Sequence, residues 1–205
     1  MRGHHVAVVL AAGGSRRLGR CKQLLTRGGE TLVHRAVRLA GETAPLRLVV
    51  VVGTQNDAVT KAIAGLDAEL LTNPHWSAGL SSSLQCAAHA LRGHVGSVLI
   101  LGCDQPALEA DHLRQLLAGA GGAVSECAAT VHGTRLGTPA VITSDLLRVA
   151  QQLGGEQGFG NHLSGLQPDA VWRLSAPELQ LDIDSAQDEQ AAISRGLLDR
   201  ADVRL

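Results

Sequence analysis

Three short stretches of the chain carry residues whose types and spacing suit chemistry on phosphates. The first is Leu10-Ala11-Ala12-Gly13-Gly14-Ser15-Arg16-Arg17-Leu18-Gly19-Arg20-Cys21-Lys22-Gln23-Leu24-Leu25, which follows the apolar run Val6 to Leu10. Glycines let backbone N–H groups approach phosphate oxygens closely, and Arg17 and Lys22 add the positive charge that a triphosphate needs. The second is Cys103-Asp104-Gln105-Pro106, after the apolar run Val98 to Leu101, and the third is Leu181-Asp182-Ile183-Asp184. Mg²⁺ is typically held by one or two carboxylates together with phosphate oxygens and water. Asp104 can supply one carboxylate. Asp182 or Asp184 can supply the second, because in a strand both would face the same side, with Ile183 pointing away.

Better-known phosphate motifs do not account for the first stretch. Gly14 and Gly19 have the spacing of a P-loop, but Arg20 and Cys21 stand where it needs Lys and Ser or Thr. The Gly-x-Gly-x-x-Gly fingerprint of dinucleotide-binding folds is missing. The histidines form neither His-x-x-x-His nor His-Glu-x-x-His, and Cys21, Cys86, Cys103 and Cys127 form no Cys-x-x-Cys pair, so no zinc site is signalled.

Composition narrows the partners. The 205 residues have a formal net charge of −1, so no global field draws the chain to nucleic acid or an anionic membrane. Aromatics are 1% of the chain, too few for a base-stacking groove. No apolar run approaches the ~18 residues of a membrane helix. Met1-Arg2-Gly3-His4-His5 before Val6 to Ala12 has a faint likeness to a short signal peptide, but it runs into the basic Gly13-Gly14-Ser15-Arg16-Arg17 stretch and reads instead as a buried first strand. Four scattered cysteines in a core-rich chain fit reduced thiols and a cytoplasmic location.

The elements that must position these residues follow from periodicity. Val6 to Leu10, Leu48 to Val52 and Val98 to Leu101 are unbroken, β-branched-rich runs suited to strands covered on both faces, as in a parallel sheet. Thr31 to Ala40, Asp57 to Ala64 and Ser82 to Leu91 between them have helical spacing. Later, Cys127 to Val131, Leu136 to Ile142 and Ala170 to Leu174 predict strands. Helices are expected from a Ser144-Asp145 cap to Leu153 and over Asp188 to Leu198, with a glycine loop at 154–160 before a short helix. Strands alternating with helices predict an α/β, Rossmann-like, doubly wound and mostly parallel sheet. With no linker, repeat or low-complexity tract, residues 1–205 read as a single domain. Asp104 and the glycine loop would then share the carboxyl edge of the sheet, where open α/β folds bind ligands.

The glycine stretch resembles the signature Leu-Ala-Ala-Gly-x-Ser-x-Arg-Met-Gly-x-x-Lys-x-Leu of the MobA/MocA-like nucleotidyltransferases, with Leu18 in place of Met. The resemblance extends over nearly the whole chain. Asn73-Pro74-His75-Trp76-Ser77-Ala78-Gly79-Leu80-Ser81-Ser82-Ser83-Leu84 is similar to the segment that reads base and ribose, which implies nucleotide contacts at Asn73, Gly79, Ser81, Ser82 and Ser83. Cys103-Asp104-Gln105-Pro106 is similar to the family's metal motif. Leu181 to Asp188 is similar to its closing Asp-Ile-Asp motif, on which Asp184 is favoured as the second ligand and Asp182 is kept as an alternate. Gly137-Thr138-Pro139 and Gly155-Glu156-Gln157-Gly158 resemble Gly-His-Pro and Gly-Asp-Lys-Gly, with Thr138 and Gln157 departing from the pattern in the half expected to bind the acceptor.

The resemblance implies an Mg²⁺-dependent enzyme that transfers CMP from CTP to a phosphorylated acceptor, molybdopterin first, and releases pyrophosphate. Lys22, Arg17 and Asp104 would be its catalytic residues, and residues 10–15 would contact nucleotide. Gly79-Leu80-Ser81-Ser82-Ser83 resembles the cytosine-using branch more than the guanine-using one. GTP or another NTP, another phosphorylated acceptor, and a non-catalytic molybdenum cofactor chaperone serving a downstream molybdoenzyme are the other readings.

Overall fold

A computed structural model describes residues 4–53 and 57–200. Residues 1–3 of the signal-like N-terminus lie outside them. In chain order the first elements are β1 (His5–Ala11), a small hairpin of β2 (Thr26–Arg27) and β3 (Glu30–Thr31), α1 (Leu32–Gly41), β4 (Arg47–Gly53), α2 (Asp57–Ala62), β5 (Glu69–Asn73) and α3 (Leu80–Ala90). Then come β6 (Ser97–Gly102), α4 (Ala110–Gly122), β7 (Cys127–His132), β8 (Arg135–Thr143), α5 (Ser144–Arg148), α6 (Gly160–Ser164), β9 (Val171–Leu174) and α7 (Ala186–Ser194).

Seven strands form one sheet in the order β5-β4-β1-β6-β8-β7-β9. β5, β4, β1 and β6 pair in parallel. β8 runs antiparallel to both β6 and β7, and β9 returns parallel to β7. The sheet is therefore mostly parallel, as expected, with β8 reversed. The unbroken apolar runs have a direct cause. Along β1, Ala7, Val9 and Ala11 pack under Val33 and Val37 of α1 and Leu113 and Leu116 of α4. The alternate residues Val6 and Val8 pack on the other face with Leu84 and Ala87 of α3 and Leu163 of α6. Each fully buried Val or Leu among these contributes about 1.5–3 kcal/mol of transfer free energy, and each Ala less. α1 follows its sequence signal: Thr31 caps it, accepting from His34 N–H at 3.3 Å, and the apolar stripe from Leu32 to Ala40 is buried.

Other boundaries differ from expectation. α3 starts at Leu80, so Ser81, Ser82 and Ser83 lie inside its first turn. α2 stops at Ala62. α5 is capped by Thr143, ends at Arg148 and gives way to a 3₁₀ turn over Val149–Gln152. The terminal helix is Ala186–Ser194, started by a Ser185/Asp188 capping box. The Asp182–Asp184 stretch is not a strand, although Ile183 is buried between two less buried aspartates, as a strand would place it.

The chain leaves β1 for β4 and β5 on one side and then crosses back to β6 on the other. That reversal opens a crevice at the carboxyl ends of β1 and β6, the usual ligand position in open α/β sheets.

Candidate active site

The loop from Ala12 to Cys21 leaves β1 into this crevice. It is shaped by a residue that no phosphate motif singles out. Gln23, 1% exposed, donates its amide to the carbonyls of Ala11 at 3.2 Å and Gly13 at 2.6 Å, while its Oε1 accepts from Ser15 Oγ at 3.3 Å. Such side-chain bonds replace the ladder partners that a loop lacks. Ser15 takes φ 47° and accepts Lys22 N–H on Oγ at 3.1 Å. Gly14 is needed for a different reason: a Cβ there would lie 2.6 Å from the indole of Trp76, which packs across the loop.

Lys22 reaches back over this scaffold. Its Nζ lies 2.7 Å from Asp104 Oδ2 and 2.8 Å from Asp184 Oδ1, and Arg17 holds the other oxygen of Asp184 at 2.8 Å. Burial lowers the pKa of the Lys22 ammonium, but the charges and hydrogen bonds of Asp104 and Asp184 outweigh it and the pKa is raised. For Asp184, dehydration raises the pKa, and the Lys22 and Arg17 cations overcome it and hold the carboxyl below its ordinary value. Asp104 follows β6 directly, and Gly102 leaves room for it, since a Cβ there would meet Asp104 Oδ1 at 2.6 Å. Asp184 is placed by the backbone on both sides. Ile183 N–H bonds the Asp104 carbonyl at 2.9 Å, and Asp184 N–H bonds Asp188 Oδ2 at 3.2 Å. Asp182 behaves differently. It is exposed over its residue surface, yet dehydration of its carboxyl, with Asp104 and Asp184 as like charges, pushes its pKa up to about 7.

A cavity of about 680 Å³ opens over this arrangement. Leu10, Ala12, Gly13, Gly14, Ser15, Arg17, Lys22, Asp104 and Asp184 line it, together with Gly79 and Ser83. Ala11, Asn73, Ser81, Ser82 and Asp182 do not. Asn73 has an internal role: it is 2% exposed, donates to Ser82 Oγ at 2.8 Å and Ser83 Oγ at 3.1 Å, and accepts His75 N–H at 2.9 Å. It thus ties the end of β5 to the first turn of α3. Ser81 N–H bonds the Gly155 carbonyl at 3.0 Å, and Ser82 Oγ bonds the Gly79 carbonyl at 2.8 Å.

Arg16, Trp76, Thr138 and Glu156 also line the cavity, and none was nominated as a site residue from sequence. Trp76 is half-buried and forms part of the wall. A second cavity of about 360 Å³ adjoins the first, sharing Leu10, Leu80, Thr138 and Glu156, and extends under Arg135, Gln157 and Asn161.

Two carboxylates from separate segments that converge on one cation fit a divalent ion completed by phosphate oxygens and water. Asp104 and Asp184 are the two carboxylates that converge on the Lys22 ammonium. Among the described residues no group of three or more His, Cys, Asp or Glu is arranged to hold a metal without such outside ligands. All four cysteines are free. Cys103 is buried, which raises its thiol pKa and keeps it neutral, so it fills space. No helix among the described residues is long and apolar enough to cross a membrane.

Known proteins share this architecture. A crystal structure of an Rv0371c homolog from Mycobacterium sp. strain JC1 superposes with a TM-score of 0.78 at 27% identity, covering 96% of this chain and 98% of that one. Molybdopterin-guanine dinucleotide biosynthesis protein A from Archaeoglobus fulgidus shares the fold with a TM-score of 0.63 at 20% identity, covering 93% and 97%. Bifunctional protein GlmU from Corynebacterium diphtheriae is 32% identical over 117 residues, 54% of this chain. The chain spans 24% of that relative's length. The family described as the MobA-like NTP transferase domain matches residues 7–171, the segment that carries the glycine loop, Lys22 and Asp104, and the chain belongs to that family.

Proposed function

We propose that the chain is, as one domain, a magnesium-dependent nucleotidyltransferase that moves CMP from CTP to a phosphorylated acceptor, molybdopterin foremost. The observation that carries this reading is the Lys22 ammonium held between Asp104 and Asp184 at the mouth of the glycine loop. Nucleotidyl transfer needs little covalent help from protein. It needs alignment and neutralisation of developing charge.

An acceptor phosphate oxygen forms a bond to the α-phosphorus, the bond from that phosphorus to the β-bridging oxygen breaks, and pyrophosphate leaves. The backbone of Ala12 to Ser15 cradles the phosphates. Lys22 and Arg17 offset charge on the leaving pyrophosphate. Asp104 and Asp184 would hold Mg²⁺, which when bound neutralises triphosphate charge. Gly79 and Ser83, in the wall of the larger cavity, support a base-side role, and the Gly79 to Ser83 segment resembles the cytosine-using branch. The smaller cavity, contiguous with the larger one through Thr138 and Glu156, supports an acceptor subsite. Free cysteines suit a reducing cytoplasm.

Pyrophosphate release measured with each of the four NTPs, with and without molybdopterin, tests the reading. Release with CTP and molybdopterin is expected. A clear GTP preference in direct competition overturns the base assignment. Turnover with CTP and a different phosphomonoester overturns the acceptor. Nucleotide binding with no turnover on any acceptor points to the chaperone reading.

A further inference from the structure

We infer that Glu189, on the C-terminal helix α7, is a positioning residue for the glycine loop. Through Arg20 it holds the stretch from Arg17 to Lys22 in the geometry that receives phosphate, an inference that rests on the nucleotide-binding reading of that loop. Glu189 lies 169 residues beyond Arg20, and its carboxylate is paired bidentately: Arg20 Nε donates to Oε2 at 3.1 Å and a terminal guanidinium N–H donates to Oε1. The two ends of the pair are unequally placed. The Glu189 side chain is 7% exposed, whereas that of Arg20 is 47% exposed. A carboxylate is kept buried only when it is paired, and among the described residues Arg20 is its side-chain partner.

The loop needs such a tie. From Ala12 to Cys21 it has no helix or strand, so its order depends on isolated attachments. Ser15 and Gln23 fix its two ends near the sheet. In the outer part, Leu18 packs against the small cluster of Leu32, Ile183, Ala192 and Leu198, and Arg20 pairs with Glu189. Both attachments involve the C-terminal segment, the first together with Leu32 of α1. The start of the same helix fixes Asp184, because Asp188 accepts the N–H groups of Asp184 and Ser185 at 3.2 and 2.8 Å. One helix therefore sets the distance between the loop's cations and one of the carboxylates they meet. This helix lies beyond residue 171, where the family match ends.

A purely structural ion pair that docks α7 would affect melting only. The test is a double-mutant cycle of Arg20→Gln, Glu189→Gln and the double variant. It reads CTP affinity in the presence of Mg²⁺ by calorimetry, backbone hydrogen exchange over residues 13–22 without nucleotide, and Tm. Expected results are faster exchange in the loop for each single variant and CTP affinity weaker by about tenfold. Adding Glu189→Gln to Arg20→Gln should cost nothing further, because Glu189 acts through Arg20. Wild-type loop exchange and CTP affinity in Glu189→Gln, with only a lower Tm, overturn the inference. So does a further loss of affinity on adding Glu189→Gln to Arg20→Gln. If Glu189→Gln does not fold, Arg20→Gln, on the exposed side of the pair, breaks the same tie and its loop exchange decides. If the wild-type protein binds no NTP, the nucleotide reading has failed, and the exchange data still report whether Glu189 orders the loop.

Discussion

Lys22 and Asp184 stand 162 residues apart in the chain, and Lys22 Nζ lies 2.8 Å from Asp184 Oδ1. The contact joins the loop after the first strand to the segment before the last helix. It closes on the same ammonium that Asp104 holds at 2.7 Å from the end of β6. Three distant parts of the sequence thus converge on one charge cluster beside the cavity. Its net charge is one negative when Lys22 is protonated and both aspartates are ionised, before Arg17 is counted.

Lys22→Ala should lower nucleotidyl transfer by more than a hundredfold, about 3 kcal/mol of transition-state stabilisation at ~1.4 kcal/mol per decade. It should also reduce stability. With Lys22 gone, Asp104 and Asp184 lose their shared cation, at a cost between the ~0–1 kcal/mol of exposed pairs and the ~3–5 kcal/mol of breaking buried ones. Mg²⁺ should restore part of the lost Tm by supplying positive charge to the same carboxylates. Turnover within a few-fold of the parent would remove Lys22 from the mechanism.

Asp104→Asn should abolish magnesium-dependent turnover while leaving the fold in place. An amide offers a dipole where the carboxylate offers a full charge, and Asp184 remains to pair with Lys22. The expected change in Tm is small, about 2–4 °C for each kcal/mol lost in a chain of this size. A variant that melts much earlier but keeps its activity would mean that Asp104 is a turn residue and not a metal ligand.

Gly79→Ala should damage both stability and nucleotide binding. Gly79 has φ 101°, and a Cβ would lie 2.5 Å from the Gly155 carbonyl oxygen. Backbone at this φ is costly for other residues, about 1–3 kcal/mol, before the clash is added. Relief of the clash should push the Gly155-Glu156 loop away from α3 and reshape the cavity wall. Chemical denaturation and CTP affinity measured on the same preparation check this, and wild-type values for both would refute it.

Acid should destabilise the protein through Glu30. The Arg38 guanidinium, hydrogen-bonded to it at 2.8 and 2.9 Å, is the main cause that brings its pKa down to about 2. Partial dehydration opposes this and His34 assists it. A carboxylate with a depressed folded-state pKa contributes stability that is fully present above its unfolded value near 4.5 and is lost as pH falls toward 2. The pair is partly solvent-screened, so its contribution is roughly 1 kcal/mol. Glu30→Gln should flatten the loss of Tm between pH 4.5 and 2. An unchanged pH profile in that window would show that Glu30 is not its source.

Much of this was legible in residue order. The apolar runs at β1, β4 and β6 announced strands buried on both faces because no polar residue interrupts them, and a parallel sheet needs that on both sides. α1 was legible because its apolar stripe is local. The shorter elements were harder to read. β5 is only five residues and largely exposed on one face, and the 3₁₀ turn after α5 depends on how that helix packs. α4 carries a stripe of Leu113, Leu116 and Ala120 at helical spacing, buried in the fold.

The sequence by itself determined the chemistry on offer: a glycine loop with Arg17 and Lys22 after the first strand, Asp104 after another, and two aspartates near the end. Local patterns suffice for that, because a strand end, a turn glycine and a charged side chain are properties of neighbouring residues. Only the tertiary structure decided that Asp184, and not Asp182, meets Lys22 and lines the cavity, that Asn73 and Ser82 serve each other inside the wall, and that Glu189 reaches Arg20. The first and the last depend on the packing of α7 beside Leu32 and Ile183, and the second on the tie between the end of β5 and the first turn of α3. Residue order does not contain those distances, because they are set by the sum of many non-local contacts.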